Sequence, residues 1–208
     1  MQQLTRKYDY LSLHIQIPHV QSHQLDDDQS IVSTDKTVLH AEAVRDPNNP
    51  SVVFVHGLGL SSAIFDNLFK DDRLLAKLHL VRYDMPGHGL SGKPVNEASH
   101  ASALYAQHFS AVMKVFNLNK PFQFGWSLGG TVAADMCASV NPIPVHGVIS
   151  LAGVPYIGAL GEIGTSTIKG LLPGLLTKDD VLLAMNTRIA FVENAMNSPK
   201  QDHRDTWQ

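Results

Sequence analysis

The chain has 208 residues, enough for one sizeable core, and no low-complexity boundary divides it. A formal net charge of −3 leaves no basic footprint and argues against nucleic acid as a partner. The single cysteine, Cys137, excludes an internal disulfide framework, and no apolar run approaches the ~20 residues of a membrane span.

From the start of the chain, Met1 to Lys7 lacks the continuous apolar stretch of a signal peptide. With the lone cysteine, this suits a reducing compartment, the cytoplasm. Tyr10 to Ile17 alternates apolar and polar residues and predicts an edge strand. The polar stretch through Asp26-Asp27-Asp28 reads as a loop, and Thr37 to Val44 as a second alternating strand. Asp46-Pro47-Asn48-Asn49-Pro50 is a strong turn signal. Ser51 to Val55 is then apolar almost throughout, as expected of a central parallel strand covered on both faces.

That strand runs into His56-Gly57-Leu58-Gly59-Leu60, a glycine-punctuated loop whose amides can approach a ligand closely. Ser61-Ser62 is placed to cap a helix carrying Ile64, Phe65, Leu68 and later Leu74-Leu75. Leu78 to Tyr83 predicts another strand, followed by Asp84-Met85-Pro86-Gly87-His88-Gly89-Leu90-Ser91-Gly92. Leu104, Tyr105, His108, Ala111, Val112, Val115 and Phe116 mark an amphipathic helix.

Phe122-Gln123-Phe124 leads into Gly125-Trp126-Ser127-Leu128-Gly129, a Gly-x-Ser-x-Gly nucleophile elbow. A serine on so sharp a strand-to-helix corner needs neighbours without bulk, and the helix that follows favours an oxyanion at its N-terminus. Leu128, Val132, Ala133, Met136, Cys137 and Val140 recur at helical spacing until Asn141-Pro142, which puts Cys137 on the apolar face as a core residue. Val145 to Val154 is one more apolar strand. The alternation predicts an α/β fold with a doubly wound, mostly parallel sheet and right-handed crossovers. Three glycine-rich loops, after Val55, Tyr83 and Phe124, fall where such sheets bind ligands. The eleven histidines are scattered, with no pair at metal-ligand spacing beside carboxylates, so no metal or other cofactor is expected.

His56-Gly57 after a central strand, Asp84-Met85-Pro86-Gly87-His88-Gly89-Leu90-Ser91, and Gly125-Trp126-Ser127-Leu128-Gly129-Gly130 together resemble the α/β-hydrolase superfamily, in its order and at its spacing. The resemblance implies hydrolysis by a Ser–acid–His triad with an oxyanion hole. Ser127 would be the nucleophile, the amides of Leu58 and Leu128 the oxyanion donors, and His56, Gly57 and Trp126 substrate contacts. Serine at the elbow implies ester-type acyl chemistry on a small-molecule substrate. By the same resemblance residues 1–155 would form the N-terminal part of the core and residues 156–208 a partial helical cap. Ile168 to Leu176 is apolar there, and Thr177-Lys178-Asp179-Asp180 resembles a capping box opening a helix with Val181, Leu182, Met185, Ile189, Val192 and Met196.

The triad order of this fold is Ser, then Asp or Glu, then His. Only His146 and His203 follow Ser127; the first starts a strand at the far end of the sheet, and the second lies in a polar tail. Asp84 and His88 belong to a glycine-rich loop and read as structural. No seventh or eighth strand follows residue 155, so the sheet is expected to be incomplete, with an edge open to self-association. The chain by itself is expected to be weakly active or inactive. Two further readings stay open: a non-catalytic module binding a small molecule or protein in the same pocket, and a C–C hydrolase, acyltransferase or lyase on the same scaffold.

Overall fold

The structure, a computed structural model, describes residues 27–44 and 46–195. Six strands form one sheet: β1 Asp27–Val32, β2 Val38–Val44, β3 Ser51–Val55, β4 His79–Tyr83, β5 Phe122–Trp126 and β6 Gly147–Leu151. Their spatial order is β1-β2-β4-β3-β5-β6. The first two pairings, β1 with β2 and β2 with β4, are antiparallel; the other three are parallel. The helices are α1 Asp72–Leu75, α2 Ser102–Val115, α3 Thr131–Ser139, α4 Leu160–Ile163, α5 Ser166–Leu176 and α6 Val181–Ala195.

Period-two alternation divides the strands between two cores. Val53, Val55, Val81 and Tyr83 face α2 and α3, where they meet Phe109, Val112, Val132 and Met136. Val52, Phe54 and Leu80 face the other way, onto Phe65, Phe69 and Leu75. Phe54 sits at the centre of that second layer, with ring centroids 5.2 Å from Phe65, 5.5 Å from Phe69 and 4.9 Å from Phe124. Burial on both faces explains why β3 is an apolar run after Ser51, with no alternation in its sequence. Arg82 is a buried charge in this sheet; its guanidinium bonds Glu42 Oε2, Asp66 Oδ1 and the Ser62 carbonyl while lying 4.6 Å from the Phe69 ring centre.

The chain leaves β3 toward β4 on one side and returns by α2 to β5 on the other. Adjacent strands with connections in opposite directions leave a crevice beyond their carboxyl ends. In this sheet the crevice lies between the loop after Val55 and the corner after Trp126.

Several expectations change. Asp27 and Asp28 belong to a strand, not a loop: β1 pairs antiparallel with β2, setting Asp28 opposite Glu42 and Ile31 opposite Leu39. Only Ile31, 3% exposed, carries that strand into the core, so its sequence shows almost no periodic signal. The segment from Ser61 is not one helix. A 3-10 turn at Ser62–Phe65 is followed, after residues 66–71, by the single turn of α1, which Asp71 caps through Arg73 N–H at 2.9 Å. Ser61 stands at the cap position of the first turn, but its side chain makes no capping bond. On α2 the buried face is Ala106, His108, Phe109 and Val112, while Val115 is 45% exposed.

Cys137 is exposed rather than part of the core, because the buried face of α3 is carried by Val132 and Met136 alone. Val181, Leu182, Met185 and Ile189 of α6 are likewise on the surface, and Val192 is the member of that stripe which is buried. Asp180 N–H donates to Thr177 Oγ1 at 3.3 Å, as a capping box requires, but Asp180 is itself the residue that caps α6, accepting from Leu183 N–H at 2.8 Å. The expected strand at residues 10–17 and His203 lie outside the described residues.

Candidate active site

Ser127 follows β5 directly and has φ +50, the left-handed region that a residue with a β-carbon seldom occupies. Behind it, Ser127–Gly130 forms a 3-10 turn that runs into α3. The glycines flanking the serine are needed for close approach. A β-carbon on Gly129 would come within 2.2 Å of the Val55 carbonyl oxygen, and one on Gly125 within 2.7 Å of the Gly129 carbonyl oxygen. Gln123, fully buried on β5, donates from Nε2 to the Gly129 carbonyl at 2.8 Å and ties the turn to the strand beneath it. Val154 N–H donates to the Ser127 carbonyl at 2.9 Å, which binds the loop after β6 to the same corner.

The loop after β3 closes over this corner. Gly57 faces Ser127 so closely that a β-carbon on it would lie 3.3 Å from the serine's own. Leu58 and Leu60 continue the loop over the serine, and Gly59, at φ +72, packs against Val192 of α6. His56 does not line the cavity, in contrast to the substrate contact expected of it. It is fully buried; Nδ1 lies 2.8 Å from the Gly57 carbonyl, and Nε2 accepts from Met85 N–H at 3.0 Å. Burial, and after it the neighbouring His88, holds the His56 imidazole down to about 4. A neutral ring protonated at Nδ1 meets both contacts, so His56 fastens the loop after β3 to the loop after β4.

The second loop has its own fastening. The Asp84 carboxylate accepts from Ser62 N–H at 2.6 Å and from Leu90 N–H at 2.8 Å. His88 Nδ1 lies 3.0 Å from the Pro86 carbonyl, so His88 serves the loop's own backbone while Asp84 also ties that loop to the turn at Ser62. His146 stacks on Phe122 at the opposite end of the sheet. Among the described residues, no imidazole and no carboxylate lines the cavity at Ser127.

That cavity encloses about 470 Å³. Gly57, Leu58, Trp126, Ser127 and Leu128 form its floor, and α5 and α6 its roof. One wall escaped sequence reasoning: Ala152, at φ +45, with Gly153 and Val154 in the loop after β6. The signal for it was present, since this is a fourth strand end with a glycine beside it. A group that could hold a metal lies elsewhere: Asp28, His40 and Glu42 share one face of β1 and β2. Glu42 is already paired there with Arg82, and His40 with both acids.

Residues 50–187 match the family described as alpha/beta hydrolase fold. The chain belongs to that family. A pimeloyl-[acyl-carrier protein] methyl ester esterase of Aeromonas salmonicida is 32% identical over 140 residues, covering 67% of this chain and 50% of the relative. A 2-(acetamidomethylene)succinate hydrolase of Mesorhizobium japonicum is 29% identical over 110 residues, 53% of this chain and 38% of that one. The chain thus spans about half, or less, of the length of the curated relatives it matches. An esterase of Rhodococcus sp. ECU1013 shares the α/β-hydrolase fold with a TM-score of 0.71 at 24% identity, over 87% of this chain and 66% of that structure.

Proposed function

We propose that this chain carries the nucleophile, the oxyanion site and the substrate cavity of a serine hydrolase acting on carboxylic esters. Ser127 Oγ attacks the ester carbonyl carbon, the carbon–oxygen bond to the alcohol breaks, and the alcohol leaves with the serine proton. Water then cleaves the acyl-serine to the acid. The amides of Leu58 and Leu128 hold the carbonyl oxygen as it gains charge, each donor contributing on the order of 3 kcal/mol. Gly57 and Trp126 contact the substrate, while His56 acts from behind by holding the loop that bears Leu58. Residues up to 155 supply the core, and the helices from 156 onward act as a cap.

The observation that carries this reading is the strained corner at Ser127, pressed against Gly57 on the floor of the cavity. The names of the relatives support it. With no base among the described residues beside Ser127, these residues alone act slowly, as serine enzymes do when triad members are removed. The expected result is slow acylation of Ser127 by p-nitrophenyl octanoate, read as release of about one p-nitrophenol per chain with an octanoyl adduct on the Ser127 peptide. An equal release from Ser127→Ala would overturn it. That same lack of a base favours a second reading, a cavity that binds without turnover; it predicts saturable binding with no acylation. We further infer residence in a reducing compartment, the cytoplasm, which an exposed Cys137 thiol suits.

A further inference from the structure

α5 packs on α6 through Gly174, which meets Thr187, and turns an apolar stripe toward the cavity. Ile168, Leu172 and Leu175 recur at the i, i+4, i+7 spacing of a single helical face, and all three line the cavity. Such a stripe ordinarily packs on a core. On α5 the space beneath it is enclosed instead by Trp126, Leu128 and Phe191, so an apolar ligand is what would complete the packing.

The rest of the lining restricts the ligand further. Among the described residues no Asp, Glu, Lys, Arg or His contributes to the wall, and Ser127, Thr165 and Asn194 are its polar side chains. Two of these are engaged within their own helices. Thr165 Oγ1 accepts from Ile168 N–H at 3.2 Å, capping α5, and Asn194 Nδ2 donates to the Ala190 carbonyl at 2.8 Å. A carboxylate buried there would find neither a cation nor a matched set of donors, so a substrate ionised along its chain is rejected.

Length follows from the stripe. Ile168 and Leu175 are seven residues apart, or about 10 Å along a helix, and an extended chain advances roughly 1.2 Å per bond. We propose that the cavity beneath α5 binds the ester's chain as an uncharged hydrocarbon of about eight carbons. The proposal deepens the esterase reading and rests on it only for the position of the carbonyl at Ser127.

Binding measured on the Ser127→Ala protein separates the two ideas, because it needs no chemistry. In calorimetric titrations with methyl butanoate, hexanoate, octanoate and decanoate, affinity should rise about fourfold per methylene up to octanoate and then level off. The monomethyl half-ester of octanedioic acid, which carries a free carboxylate, should bind at least tenfold more weakly than methyl octanoate. Leu172→Lys should invert that preference and so place the ligand beneath α5. A flat length series, or equal binding of the half-ester, would overturn the proposal. Tight binding of methyl octanoate without Ser127 acylation by the p-nitrophenyl ester would retain the cavity and remove the esterase.

Discussion

Gly57 and Ser127 face each other across the crevice between β3 and β5, so closely that a β-carbon on Gly57 would stand 3.3 Å from that of the serine. The two residues come from loops that are distant in sequence and meet because their strands are paired, Val55 opposite Gly125. Gly57→Ala should therefore displace the serine by a few tenths of an ångström without disrupting the core. Ester hydrolysis or acylation at Ser127 should fall at least tenfold, while urea denaturation shows a loss below about 2 kcal/mol. Unchanged reactivity in the variant would mean that this contact does not set the site.

Two other glycines should respond in opposite directions. Gly129→Ala puts a β-carbon 2.2 Å from the Val55 carbonyl oxygen, backbone against backbone, so it should cost more than about 3 kcal/mol or prevent folding. Gly170, inside α5, has nothing within 4 Å of an added β-carbon. Gly170→Ala should raise stability by roughly 0.5–1 kcal/mol. Thermal melts of the two variants beside the parent protein check both signs.

His56 makes the fold acid-sensitive. Its imidazole is held down to about 4, chiefly by burial, whereas an unfolded histidine titrates near 6.5. As pH falls through that window the unfolded chain takes up the proton and the folded one does not, so stability falls with pH. The contribution is fully present above about pH 6.5 and is lost toward pH 4, on the order of 2–3 kcal/mol. His56→Gln keeps an acceptor for Met85 N–H but has no proton to gain. Urea melts from pH 4 to 7 should show a shallower slope in this variant, and parallel slopes would refute the assignment.

The two edges of the sheet differ in how they meet solvent. β1 carries polar residues, among them Asp28 with an exposed side chain. In β6, Val148, Ile149 and Leu151 are 45–50% exposed, and its five residues include no charge and no proline. Among the described residues β6 ends the sheet, and open parallel edges of this kind invite pairing. The protein should self-associate with rising concentration, and Ile149→Lys should return it to monomer in light scattering coupled to size exclusion. A parent protein that stays monomeric at high concentration would remove the proposal.

What the residues revealed in advance was what burial on two faces and steric necessity had written into them. Ser51–Val55 and the Gly125–Gly129 corner are legible because a doubly covered strand must be apolar and a strained turn must have glycine at fixed positions. β1 was not legible, since its partner β2 and not its own composition makes it a strand. Ile168 to Leu176 was legible only as an apolar run, and an apolar run reads the same whether its helix packs on protein or roofs a cavity. His56 was misread because a histidine beside a catalytic loop has the same letter whether it faces the ligand or, as here, the backbone of the neighbouring loop.

A fluorophosphonate probe offers the shortest route to the reactive hydroxyl, with peptide mass spectrometry to locate the adduct. The proposed oxyanion donors, the amides of Leu58 and Leu128, should support slow, selective modification even without a neighbouring base, giving one adduct per chain on the peptide that contains Ser127 and none in Ser127→Ala. An unmodified protein after prolonged exposure, or label scattered over its other serines, would contradict the account.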